Sequence, residues 1–73
     1  MTFQEYYRSL PSDEREIYVK NIGLNRRYVE IHFVSKVRRH PRERIKQAMV
    51  KFSNGQLSYE DVCNSFRQSI ANT

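Results

Sequence analysis

Ser12-Asp13-Glu14-Arg15-Glu16-Ile17-Tyr18-Val19-Lys20-Asn21-Ile22-Gly23-Leu24-Asn25-Arg26-Arg27-Tyr28-Val29-Glu30-Ile31-His32-Phe33 reads as two short amphipathic helices hinged at Ile22-Gly23-Leu24. Ser12 is competent to cap the first of them, and Asp13 and Glu14 place negative charge on the positive end of its dipole. Ile17 and Tyr18, with Val19 at the margin, are expected to face a core, and the helix should end near Asn21. Gly23 falls where a helix exit needs positive φ, which glycine adopts without steric cost. Asn25 is a competent N-cap for the next helix, expected to run to Phe33 or Val34. Its inward side should be Val29 and Phe33 with either Tyr28 or His32. Its outward side should be Arg26, Arg27 and Glu30, with Ile31 at the edge.

Outward from this pair, the chain divides into further helices and no strands. Phe3, Tyr6, Tyr7 and Leu10 recur at the spacing of one helical face, which predicts a helix over Phe3 to Ser9, broken at Leu10-Pro11-Ser12. Ser35 to His40 reads as an irregular basic loop. Pro41 fits the first turn of a fourth helix, where its missing N–H costs nothing. Ile45, Ala48, Met49 and Phe52 form that helix's stripe, and Ser53-Asn54-Gly55 ends it. For the fifth helix, Ser58 with Asp61 resembles a capping box, and Leu57 with Val62 a hydrophobic staple. Tyr59, Val62, Cys63, Phe66 and Ile70 continue its apolar stripe. The expectation is an all-α fold, one domain over 1–73, built as a compact bundle of about five short helices. A helix-turn-helix should lie at about 13–34.

Charge is distributed unevenly. The net charge is +5. Residues 25–51 carry nine Lys or Arg against Glu30 and Glu43, a surplus of +7, while the segments on either side are each at −1. Such a surplus is either a solvated basic face or a binding patch. Its coincidence with the turn motif favours nucleic acid. The 38% apolar content with nine aromatic residues supports a packed core, though a small one. No apolar run approaches the roughly 20 residues of a membrane span, and no signal-peptide hydrophobic region opens the chain. A cytoplasmic, membrane-free protein is expected. One cysteine, Cys63, permits no intrachain disulfide and no four-ligand zinc site, and it sits on the apolar stripe as a core residue. His32, His40 and Cys63 lack zinc-ligand spacing, so no metal is expected. Without a Ser-His-Asp arrangement or a phosphate-cradling glycine loop, neither catalysis nor a cofactor or small-molecule substrate is expected.

A helix fits the B-DNA major groove with its N-terminal residues nearest the base edges. In that frame Asn25, Arg26, Arg27 and Glu30 are the candidate base contacts. Arginine bonds guanine O6 and N7 together, and asparagine bonds adenine N6 and N7. Glu30 either accepts from a cytosine amino group or holds Arg26 or Arg27 through helical pairing. Lys36, Arg38, Arg39, His40 and Arg42, with Arg44 and Lys46 behind them, suit phosphates, which set register and affinity rather than sequence.

The order Phe3-Gln4-Glu5-Tyr6-Tyr7-Arg8-Ser9-Leu10, Glu14-Arg15, Ile22-Gly23-Leu24, Tyr28-Val29, Arg38-Arg39-His40-Pro41, Asn54-Gly55 and Glu60-Asp61-Val62 resembles the Cro-like and repressor-like helix-turn-helix regulators of phages and bacteria. The resemblance spans residues 3–62. Val19 and His32 stand where that family carries a small and an aliphatic residue. What it implies is a lambda-repressor-like fold and a Cro-type repressor of phage or prophage origin, working in a bacterial cell. It also implies operator binding on double-stranded DNA as a homodimer, with Asn25, Arg26, Arg27 and Glu30 facing bases. The final helix, 58–70, is the candidate dimer surface through Tyr59, Phe66 and Ile70, or else it only completes the monomer core. The competing reading is a helical protein–protein interaction module, antirepressor- or antitoxin-like, gripping an acidic partner. RNA recognition lacks a sheet platform and paired exposed aromatics.

Overall fold

The computed structural model describes residues 1–37 and 39–71, with side chains given through residue 67. Its order is α1 (Phe3–Ser9), α2 (Ser12–Asn21), α3 (Arg26–Val29) continued by a π-helical turn (Glu30–Ser35), α4 (Glu43–Lys51) and α5 (Tyr59–Ala71). The fold is an all-α bundle, with no strand among the described residues. None of the described helices is long and apolar enough to cross a membrane.

Several helix ends have a local chemical cause. Thr2 caps α1 in a full capping box: its hydroxyl accepts from the Glu5 N–H at 3.1 Å, and the Glu5 carboxylate accepts from the Thr2 N–H at 2.8 Å. The same device opens α5, where the Asp61 N–H donates to Ser58 Oγ at 3.0 Å and the Ser58 N–H to Asp61 Oδ2 at 3.1 Å. The Ser58–Asp61 pairing expected from sequence is thus present. Ser12 does not cap α2. The cap position is Pro11, without a side-chain hydrogen bond, and Ser12 is the first helical residue. Its hydroxyl is occupied elsewhere, accepting from Arg26 Nη1 at 2.9 Å.

At its other end α2 closes in a Schellman motif. The Gly23 N–H donates to the Lys20 carbonyl and the Leu24 N–H to the Val19 carbonyl, with Gly23 at φ +85°. Asn25 then caps α3, its side chain accepting from the Tyr28 N–H at 2.8 Å. Farther along, α4 begins two residues after Pro41, which is buried. Packing Pro41 inward outweighs its fitness for a first helical turn. Asn54 and Gly55 both take left-handed φ after α4, and the buried Ser53 hydroxyl donates to the Val50 carbonyl while accepting from the Leu57 N–H.

The core is a cluster of rings. Phe66 is fully buried between Phe3 and Phe33, with centroids at 5.7 and 5.3 Å. Tyr18 meets Tyr6 edge-on at 5.3 Å, and its buried hydroxyl donates to the Met49 carbonyl, tying α2 to α4. Val19, Ile22, Val29, Met49, Leu57 and Val62 complete the interior. On α2 the inner face is Tyr18-Val19-Ile22, which fits within about 100° of helical arc. Ile17 lies beyond that arc and is 59% exposed, contrary to the expectation that it faces the core. Phe66, expected on a dimer face, is committed to this interior instead. Arg38 and the Ile70 side chain lie outside the described residues.

Candidate nucleic-acid interface

The α2–turn–α3 unit is fastened to the bundle by polar side chains rather than by apolar packing alone. Arg15 on α2 reaches back over the end of α1. Its guanidinium donates to the Leu10 and Arg8 carbonyls, both at 2.9 Å, and lies over the Tyr7 ring at 5.3 Å. Gln4 and Arg8 on α1 donate to the Phe33 and Val34 carbonyls where the π-helical turn ends. Those carbonyls close a helix and need donors.

Arg26 and Glu30 form the centre of this fastening. Arg26 Nε donates to Glu30 Oε2 at 2.9 Å, and its Nη1 donates to the Ser12 hydroxyl and carbonyl on α2. The Tyr7 hydroxyl donates to the same Glu30 oxygen at 2.7 Å. One carboxylate therefore joins α1 to α3, and its guanidinium partner joins α3 to α2. Glu30 is held below the ordinary carboxylate range, first by Arg26 and then by Tyr7. The Tyr7 phenol is pushed up to about 12 by burial and by Glu30. Of the two roles open to Glu30, the structure places it in the pairing one, as the i, i+4 partner of Arg26.

The candidate base contacts therefore separate. Arg27 is exposed on the outer face, and its side chain makes no hydrogen bond or ion pair among the described residues. Arg26 is expected to face bases, yet its guanidinium is spent on Ser12 and Glu30. Asn25 is exposed, but its side-chain oxygen serves the cap, so it cannot offer the oxygen–amide pair that adenine requires without releasing the helix start. Glu30 is committed internally. Ile31, one turn beyond Arg27, is 40% exposed. Together with Glu16 of α2 these residues line a shallow concavity. The sequence did not mark Glu16 for this place, because only the angle between α2 and α3 brings it there.

Beyond the π-helical turn the exposed cations accumulate. Lys36, Arg39, Arg42 and Arg44 are all exposed, and among the described residues none of their side chains makes a hydrogen bond or ion pair. His40 is exposed beside them. Loss of surrounding water and then the charge of Lys46 hold its imidazole below the ordinary 6.5. Arg38 lies outside the described residues. On α5, Tyr59 is exposed and its hydroxyl donates to the Glu43 carboxylate of α4. His32, at the inner edge of α3's continuation, is half-buried against Tyr28 at 4.6 Å, with Nδ1 unpaired among the described residues.

Comparison of the chain with known protein families, characterised proteins and solved structures finds no match in any of the three. The geometry of the site is therefore the basis for its function.

Proposed function

We propose that this chain is a sequence-specific double-stranded DNA-binding transcriptional regulator of the Cro-like kind, acting on an operator as a homodimer. The observation that carries the reading is the placement of Arg27. It stands exposed and unpaired among the described residues in the first turn of a helix that follows a Schellman turn, with Lys36, Arg39, Arg42 and Arg44 exposed farther along. A guanidinium there suits guanine O6 and N7, and Ile31 one turn on suits a thymine methyl group. The later cations suit phosphates. Arg26 and Glu30 serve as positioning residues, fixing the pitch of α3 against α2.

Selection of bound duplexes from a random pool tests the proposal. The expected outcome is a palindromic consensus, reporting both sequence preference and twofold symmetry. Binding of every duplex alike, or retention only by an acidic protein with no duplex preferred, would defeat it in favour of an interaction module.

A further inference from the structure

Between α3 and α4 the fold leaves an open groove of about 560 Å³. Tyr28, Phe33 and Ile45 supply an apolar floor, and Arg39, Arg42 and Arg44 stand on the rim. No acidic residue lines it. The acidic residue that opens α4, Glu43, accepts from Tyr59 and Gln47 instead. Three guanidiniums therefore share one concavity with no counter-charge among the described residues. The first turn of α4 also lacks a side-chain cap, which adds a positive dipole end near that rim.

The floor is the part that a duplex does not explain. Duplex phosphates lie outside and the bases are stacked within, so arginines that touch a duplex backbone need no apolar surface beneath them. A phosphate ester with an uncovered flat ring would use both. Tyr28 is half-buried, held edge-on by the buried Phe33 with rings at 87° and 5.5 Å, so Tyr28 is the aromatic surface that the groove offers. Bases stack on such surfaces irrespective of their identity.

We propose that this groove seats one nucleotide unit, its phosphate on Arg39, Arg42 and Arg44 and its base against Tyr28. The unit is either a free mononucleotide or the unpaired 5′-phosphorylated end of a strand. The assignment stands whether or not the chain reads a duplex.

Calorimetric titration of the full chain tests it, using adenosine 5′-monophosphate, adenosine, inorganic phosphate, hexyl phosphate, and a short oligothymidylate with and without a 5′-phosphate. Either adenosine monophosphate or the phosphorylated oligonucleotide should saturate at one per chain. The preferred one should bind about tenfold more tightly than adenosine, inorganic phosphate or hexyl phosphate. The tighter of the two identifies the source. Tyr28→Leu should lower that affinity about tenfold while leaving inorganic phosphate binding unchanged. Arg42→Gln should lower both. Amide shifts on titration, which need no variant, should centre on Leu24, Tyr28 and Ile45. Absence of saturable binding by either nucleotide, equal binding of hexyl phosphate, or shifts centred on α5 would overturn the proposal. Duplex binding measured on the same samples separates this result from the operator reading.

Discussion

At the scale of single residues, two adjacent arginines of one helix turn have opposite work. Arg27 faces solvent, while Arg26 is bound to Ser12 and Glu30. Arg27→Ala should leave thermal stability unchanged within about 0.5 kcal/mol. On a selected duplex it should cost about 1–3 kcal/mol and relax the preference at one base pair. Arg26→Ala should lower the midpoint of chemical unfolding, because the partly exposed pair and its link to Ser12 go together. Glu30 adds a pH signature. Its folded-state value lies below the ordinary 4.5, so its contribution is full above that pH and fades as pH falls through the folded value. Stability of the wild-type chain should therefore decline more steeply below pH 4.5 than that of Glu30→Gln, measured by unfolding midpoints across an acid series. The Arg26–Glu30 pairing was legible as an i, i+4 spacing. Its extension to Ser12 and Tyr7 was not, because these contacts depend on how three helices meet.

At the scale of elements, the sequence is most legible where the chemistry is confined to a few consecutive residues. Gly23 and the Ser58–Asp61 box are such cases. The Thr2–Glu5 box obeys the same rule and was available in the sequence, at the start of a helix recognised only by its apolar spacing. Ile17 turns outward for a different reason. Three consecutive apolar residues, Ile17-Tyr18-Val19, cannot all face one side of a helix, and Ile22 beyond them decides which two turn inward. The π-helical turn at Glu30–Ser35 carries no residue signature that sets it apart from an α-helix. Gly23→Ala separates strain from crowding. A Cβ there meets nothing within 4 Å, so the cost is conformational alone, about 1–2 kcal/mol in an unfolding titration. If α2 and α3 keep their angle, duplex affinity of that variant should be unchanged at temperatures where it is folded.

At the scale of the whole molecule, a small bundle has committed six of its nine aromatic rings to one interior. A radius of gyration of 11.2 Å matches that of a compact chain of this length. A domain of this size has only about 4–11 kcal/mol of stability. Phe66→Ala, which empties the space between Phe3 and Phe33, should remove about 3–5 kcal/mol of it. Circular dichroism should show loss of the protomer fold rather than a folded monomer released from a dimer. The spacing of α5 revealed its apolar stripe but not whether a partner or the protomer's own rings would cover it. Charge, by contrast, is legible from sequence, since Arg27, Lys36, Arg39, Arg42, Arg44 and Lys51 of the basic segment are all exposed. Arg39→Ala should weaken all duplexes alike and reduce the salt slope by about one. The most direct test of the central claim is equilibrium binding of the selected duplex, against a scrambled duplex of equal length, by the wild-type chain and Arg27→Ala. The account predicts a wild-type preference for the selected site that Arg27→Ala largely removes, while binding to the scrambled duplex hardly changes. An unaltered preference in Arg27→Ala, or none in the wild type, would contradict it.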